Sequence, residues 1–442
     1  MAFFLFLLVN ATLFIRPAEI VPALLGWEVY FYAIITCFVV ATPDVLRYLT
    51  SESLEKQPIT LSVFGLLAAV GLSPLVGGDM AESWRTGVPF AKMVVYYLLF
   101  VSLVTTPARL RMLLVCLLTC CGLVTALAVL RYHDLIQLNT LDALTDTTAG
   151  RYGEKVNIQR LQATGIFQDP NDLCVLLAAM TPIGLYFFFT GRNVILRGLG
   201  AGVLPLFGYA VFLTHSRGGF LSFAGGLGAL SWARFGWKKT AILGAIGLPA
   251  LLLAFGGRQT DINLSTDTAQ TRIELWREWL TVFRGNMVLG KGMTFTAEDE
   301  LKSKLRDEGL TQVAHNAYLQ AFADLGIVGG CLFVGAVLAA GWSIQRFDSP
   351  DCLLIDPDLR AAQPYILASI VAYAIGMMTL SIIYIIPTYM MLALACAYAR
   401  TARRFCLAPP PVLRFDLTLV GCYLAAGFVT LVSIYAFVRF LA

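Results

Sequence analysis

What most constrains this chain is a succession of long apolar runs, 15 to 25 residues each, separated by short charged stretches. A helix rises about 1.5 Å per residue, so about 20 apolar residues cross a hydrocarbon core of about 30 Å with every backbone group bonded internally. A transmembrane β-barrel needs segments of about ten residues that alternate apolar and polar, whereas these runs are continuous. The expected fold class is all-α, a polytopic integral membrane protein. Composition agrees, since 14% of the 442 residues are charged and 58% are hydrophobic, against about 25% charged in soluble domains. A soluble enzyme is excluded. The 32 Lys and Arg against 28 Asp and Glu leave a net charge of +4, too even a balance to suggest a nucleic-acid partner.

The runs fall near residues 2–15, 20–42, 58–76, 88–105, 111–130, 172–190, 195–213, 218–233, 240–255, 317–342, 364–398 and 416–438. As one helix the 364–398 run would be about 52 Å long, too long for a single crossing, so it is expected to divide around Ser381 to Pro387. The total is 12 or 13 transmembrane helices, depending on whether the first run crosses fully. The N-terminus has no basic region and no A-x-A cleavage site, so it reads as a retained first span. Eight of the ten cysteines (Cys37, Cys116, Cys120, Cys121, Cys174, Cys331, Cys396 and Cys422) fall inside expected spans, where a thiol behaves as a small hydrophobe. Disulfides and thiol-based zinc sites are not expected.

Loop charge sets the orientation. Loops carrying Arg47 and Lys56, Arg109 and Arg111, Arg192 and Arg197, Arg234 with Lys238 and Lys239, Arg346 and Arg360, and Arg400 with Arg403 and Arg404 alternate with loops poorer in basic residues. The positive-inside rule assigns the basic set to the cytoplasm. The two long loops, 131–171 and 256–314, then both face outward. Three regions result: N-terminal transmembrane helices over 1–255 with an outer loop at 131–171, a large outer loop over 256–314 containing short amphipathic helices, and C-terminal transmembrane helices over 315–442.

Three signals converge on the outer face. In Thr214-His215-Ser216-Arg217-Gly218-Gly219 an arginine stands at the outer end of a span. At membrane depth it costs about 2.5 to 3.5 kcal/mol on insertion scales; it either snorkels to headgroups or meets an anion. In Thr271-Arg272-Ile273-Glu274-Leu275-Trp276-Arg277-Glu278-Trp279, the residues Arg272, Trp276 and Trp279 share one helical face. The expected element is an amphipathic helix on the membrane surface, where tryptophans anchor and Arg272 is set on the apolar face. The following Gly290-Lys291-Gly292 is too short a pattern for a phosphate loop. In Val313-Ala314-His315-Asn316-Ala317-Tyr318, one of only three histidines in the chain stands where a helix begins. The positive end of the helix dipole disfavours imidazolium there, so His315 either caps the helix or accepts a proton near neutral pH.

Guanidinium groups bind phosphate oxygens in bidentate fashion and keep their charge. Two outward arginines and a neutral histidine are therefore equipment for glycosyl transfer from a polyprenyl-diphosphate sugar. Arg217 and Arg272 would stabilise the departing diphosphate and His315 would activate the acceptor, with no cofactor and no metal required.

The ordered motifs Gly165-Ile166-Phe167-Gln168-Asp169-Pro170-Asn171, Ser216-Arg217-Gly218, Arg272-x-x-x-Trp276 with Leu289-Gly290-x-Gly292, and His315-Asn316-x-Tyr318-Leu319-Gln320 with Gly326 and Gly329 resemble the O-antigen ligase and Wzy-type polymerase superfamily. The resemblance covers roughly residues 160–335 and the span count. It implies an inverting, metal-independent glycosyltransferase of lipopolysaccharide biosynthesis in the bacterial inner membrane, with a periplasmic active site. The donor is an undecaprenyl-diphosphate-linked glycan and the acceptor lipid A-core oligosaccharide; a growing polysaccharide or a protein are the alternative acceptors. It carries the diphosphate-binding role onto Arg217 and Arg272 and the essential histidine onto His315. Partners are these glycans and membrane lipids, with no nucleic acid.

Supporting positions are Ser216, His215, Lys92, Asp169, Asn171, Trp276, Asn316 and Tyr318. Asp169 and Asn171 flank Pro170 as a turn and helix cap or touch the acceptor. Lys92, near the outer end of its span, snorkels or contacts phosphate. His215 packs beside Arg217, and Asp324, nine residues into a span, needs a hydrogen-bonding partner. A metal-dependent lipid-linked glycosyltransferase would need carboxylates for a divalent ion, yet the first outer loop offers only Asp79 and Glu82, and Asp356-x-Asp358 lies on the other side. A transporter would carry its ionisable groups at mid-membrane, whereas here they cluster at the outer boundary.

Overall fold

The computed structural model describes residues 1–24, 26–51, 54–76, 78–137, 144–149, 155–254, 267–292, 313–349 and 352–441. Parts of the two expected outer loops, 138–143, 150–154, 255–266 and 293–312, lie outside the described residues. The longer described helices are α1 (Ala2–Ile15), α2 (Val29–Ser51), α3 (Pro58–Val76), α4 (Met80–Leu103), α5 (Pro107–Tyr132), α6 (Pro170–Thr190), α7 (Val194–Leu213), α8 (Arg217–Ala254), α9 (Asp267–Gly285), α10 (Ala317–Gln345), α11 (Pro357–Gly376), α12 (Ile386–Arg404) and α13 (Leu417–Leu441). The protein is an all-α, polytopic membrane protein.

Among the described residues, nine helices are long and apolar enough on their own to cross a membrane: α1 with the turn that follows it, α2 to α7, α10 and α13. The other expected spans fall in α8, which carries charge in its middle, and in α11 and α12, which carry it at one end. Arg234, Lys238 and Lys239 surround a break in α8 at Gly236, whose φ of 74° only glycine adopts without strain. The 364–398 run divides as its length requires, with helix ending at Gly376 and resuming at Ile386.

The chain forms two compact units. The first comprises Met1–Pro43, Leu103–Ile262 and Leu354–Gly376, and the second Asp44–Ser102, Asn263–Leu353 and Met377–Ala442. In the first, α8 packs on α11, where Ser222 Oγ donates to the Ala372 carbonyl at 2.6 Å. Asp358 accepts ion pairs from Arg111 and from Arg192, the latter at 2.7 Å, and Asp356 Oδ1 accepts from the Leu359 N–H. Both acids of Asp356-x-Asp358 are thereby given structural work. The first unit also holds an antiparallel hairpin, β1 (Leu144–Ala149) with β2 (Lys155–Arg160), in register Leu144 to Arg160 through Ala149 to Lys155.

In the second unit α10 is the central element, flanked by α3, α12, α13 and α9. It breaks at Gly326, with φ 66°. A break inside the membrane strands backbone groups that have no water to bond, and the segment after α9 takes them up. Lys291 N–H donates to the Ala323 carbonyl (3.0 Å) and Gly292 N–H to the Asp324 carbonyl (2.9 Å), while Ile327 N–H donates to the Met287 carbonyl (2.7 Å). A Cβ on Gly290 would collide with the Asp324 backbone, and one on Gly326 with Val288. The Gly290-Lys291-Gly292 pattern is thus a backbone patch across a helix break. Asp324 itself is fully buried and accepts from Tyr384 Oη at 3.0 Å, which supplies the partner its position demands.

The helix α9 is amphipathic as expected, but its apolar face is covered by protein rather than by a membrane surface. Ile273, Leu275, Trp279 and Leu280 are buried with Ala314, Leu319 and Ala323 around α10 and with Ile434 and Val438 of α13. Burying side chains of this size is worth about 1.5 to 3 kcal/mol each, enough to seat a helix of 19 residues. The ten cysteines are free thiols. Cys352 and Cys406, the two outside the apolar runs, are hydrogen-bonded to each other, and burial together with that neighbour pushes the Cys352 thiol up to about 12.

Candidate active site

In the first unit the site begins at the turn between α7 and α8. Helix α7 ends at Leu213, His215 takes a left-handed conformation (φ 50°), and Ser216 opens α8. Ser216 is buried, and its Oγ accepts from the Gly219 N–H at 3.1 Å, closing the first turn as a cap. Gly219 is required by close approach, because a Cβ would run into the Cys174 side chain on α6. Arg217 is therefore the first helical residue of α8, half-buried at the helix's positive end. The His215 ring stands beside Phe212, with centroids 5.9 Å apart.

Two further expected positions join this turn. Asp169 caps α6, accepting from the Asn171 N–H at 2.7 Å and from Asn171 Nδ2 at 2.9 Å. Asn171 Oδ1 accepts from Arg160 Nη2 (2.8 Å), and Arg160 Nε donates to the Thr214 carbonyl (2.9 Å). Leu161 N–H adds a bond to the Leu213 carbonyl at 3.0 Å. Arg160 was not singled out from the sequence, yet it is the group that ties the Asp169-Pro170-Asn171 cap to the turn bearing Arg217. Its one sequence signal is a charged residue just ahead of the Gly165 motif.

In the second unit α9 carries Arg272, half-buried, with Trp276 one turn further on. Trp276 Nε1 donates to the Ala314 carbonyl at 2.9 Å, and its ring leans on Phe437. That bond fixes the Arg272 face of α9 against the residue preceding His315. His315 is half-buried and left-handed (φ 47°), and its N–H donates to Ser381 Oγ at 2.8 Å. The next helix is capped by Asn316, whose Oδ1 accepts from the Tyr318 and Leu319 N–H groups at 3.1 Å each. Of the two roles open to His315 in the sequence, capping belongs to Asn316. Ala317 N–H donates to the Met377 carbonyl (2.8 Å), so the 377–385 break grips both sides of the histidine. Tyr318 is enclosed against Phe322, Cys331 and Val334, a packing role. Lys92 stands exposed on α4.

The structure thus brings Asp169, Asn171, His215, Ser216 and Arg217 together in the first unit, and Arg272, Trp276, His315 and Asn316 together in the second. Among the described residues, no three His, Cys, Asp or Glu side chains gather as metal ligands.

A search of curated proteins finds no match for the chain. Residues 201–334 match the family model described as O-antigen ligase. This stretch runs from α7 into α10 and encloses Arg217, Arg272 and His315. The turn, the α9 face and the histidine thus fall within one matched segment, over which the chain is similar to the O-antigen ligase family.

Proposed function

We propose that this chain is an O-antigen ligase-type glycosyltransferase of the bacterial inner membrane, moving a glycan from undecaprenyl diphosphate to a hydroxyl of lipid A-core oligosaccharide on the periplasmic face. The observation that carries the reading is the O-antigen ligase match over residues 201–334, which contains both arginines and the histidine. His315 takes the proton from the acceptor hydroxyl as its oxygen attacks the anomeric carbon. The bond from that carbon to the diphosphate oxygen breaks, the configuration inverts, and the leaving diphosphate gains charge. Arg217 and Arg272 hold that charge through bidentate hydrogen bonds, the task a metal ion performs in other diphosphate chemistry.

Local structure supports these roles. Arg217 stands at the positive end of α8, where helix dipole and side-chain charge act on the same anion. His315 is fixed through its own N–H by Ser381 while Asn316 does the capping, which suits a base whose ring must meet a substrate.

The test is in vitro transfer from a defined undecaprenyl-diphosphate glycan to three acceptors offered separately: lipid A-core oligosaccharide, a second lipid-linked glycan and a serine-rich peptide. Transfer to the first identifies a ligase, to the second a polymerase, to the third a protein O-glycosyltransferase. Arg217→Ala and Arg272→Ala each lower the rate by about 10²- to 10³-fold, the usual loss for a removed donor at developing charge, and wild-type activity survives EDTA. Folded wild-type protein that transfers to none of the three would sink the proposal.

A further inference from the structure

The second unit contains a cavity of about 330 Å³ that the chemistry above does not use. It lies where α2 and α12 end, α3 begins and α10 gives way to Arg346, so it sits at the opposite end of α10 from His315. The segment Pro409-Pro410-Pro411 walls one side. Five cationic side chains line it, Lys56, Arg346, Arg400, Arg403 and Arg404, and no Asp or Glu is among the lining residues.

Such crowding of like charge beside apolar walls is costly unless an anion balances it. Neutral groups help to set the positions of three of the guanidinium groups. Arg400 lies 4.6 Å from the centroid of the Tyr48 ring and donates to the Val101 carbonyl at 3.0 Å. Tyr48 is held in turn by a hydroxyl chain through Thr60 (2.6 Å) to Tyr97 (2.9 Å). Arg403 donates to the Pro410 carbonyl at 2.7 Å, and Arg346 stacks over Trp342. Cation–π and carbonyl contacts of this kind orient a cation without neutralising it. Ile59, Phe347 and Leu413 stand beside the charges, with Gln57 and Ser343 as uncharged polar groups in the lining. Positive-inside snorkelling accounts for basic residues at a helix end, but it needs no cavity and no proline wall.

We propose that this cavity is an anion site, separate from the transferase centre, that binds a phosphate-bearing group carried by an anionic phospholipid or by a soluble phosphate compound. Arginine matches phosphate geometry through paired N–H donors, the volume suits a headgroup-sized ligand, and basic pockets among membrane helices hold such headgroups. The site does not depend on the glycosyl-transfer reading.

The full-length protein is placed in nanodiscs of neutral phosphatidylcholine, with or without phosphatidylglycerol, and retained lipid is counted by native mass spectrometry. A parallel arm adds inorganic phosphate and diphosphate to the neutral discs and follows the thermal midpoint. Two double variants accompany the wild type: Arg346→Gln with Arg403→Gln, and Lys56→Gln with Arg404→Gln. A cation near a phosphate contributes about a fivefold factor, so each double variant weakens binding by about 25-fold. Retention of phosphatidylglycerol by wild type alone identifies a headgroup site. Stabilisation of wild type alone by phosphate or diphosphate, without lipid retention, identifies a soluble ligand. Equal behaviour of wild type and a folded double variant toward every probe overturns the site. The two variants remove different pairs of cations, so either one that folds decides the matter.

Discussion

The turns around His215 and His315 share a local design and differ in what holds them. Each has a histidine in the left-handed region (φ 50° and 47°), a capping residue next (Ser216, Asn316) and then a helix. Such a conformation costs a non-glycine residue about 1 to 3 kcal/mol, so something must enforce it. At His215 the restraint on the histidine's own N–H is sequence-local, a bond back to the Phe212 carbonyl (3.3 Å) at the end of α7, while Leu161 and Arg160 hold the Leu213 and Thr214 carbonyls just before it. At His315 it comes from far along the chain, from Ser381 on one side and Met377 on the other, with Trp276 holding Ala314. The first arrangement aims the residue after the cap, Arg217. The second fixes the histidine itself, in keeping with the base role proposed for His315 and the supporting role proposed for His215.

The sharpest way to break that distinction is to remove each ring. His315→Ala is expected to lower the transfer rate by about 10²- to 10⁴-fold, the usual range for a lost general base, with an unchanged thermal midpoint. His215→Ala keeps transfer within about tenfold of wild type. Equal losses in the two variants would dissolve the difference. Next in size is Ser381→Ala, which leaves the His315 N–H without its acceptor, a change worth about 1 to 3 kcal/mol. It is expected to reduce kcat by about tenfold with KM little altered, and Ser381→Thr should restore the rate. A change in KM alone would assign Ser381 to substrate binding. Smallest are the caps: Ser216→Ala and Asn316→Ala each remove about 1 kcal/mol. The two should depress the apparent thermal midpoint by similar amounts, and Asn316→Asp should recover its share. A much larger fall in one would mean that the caps are not equivalent.

The membrane spans were legible in the sequence because apolar length is a one-dimensional property, and even the division of the 364–398 run followed from counting residues. The Arg217, Arg272 and His315 motifs stood out as candidates for the same reason, since each is contiguous, and all three lie within the matched segment. What escaped depends on contacts between distant positions. The face of α9 bearing Trp276 and Trp279 has the same periodicity whether lipid or α13 covers it, and the sequence does not distinguish the two. Arg160 reaches Thr214 and Asn171 from a hairpin whose strands, LTDTTA and KVNIQR, show little apolar alternation. Gly290-x-Gly292 is a weak pattern by itself, and it acquires meaning only beside the break at Gly326. Ser381 was visible as a place where helix stops but not as the acceptor for the His315 N–H.

The patch across Gly326 bears on how variants of this chain can diverge. Gly292 is bonded to the Asp324 carbonyl, and Val313 packs on the cluster that holds Ala314. Gly290 and Gly326 each lack room for a Cβ where these segments meet, so a side chain at either position would push the backbone off α10 close to both anchors. Variants that keep this patch are therefore expected to keep glycine at 290 and 326.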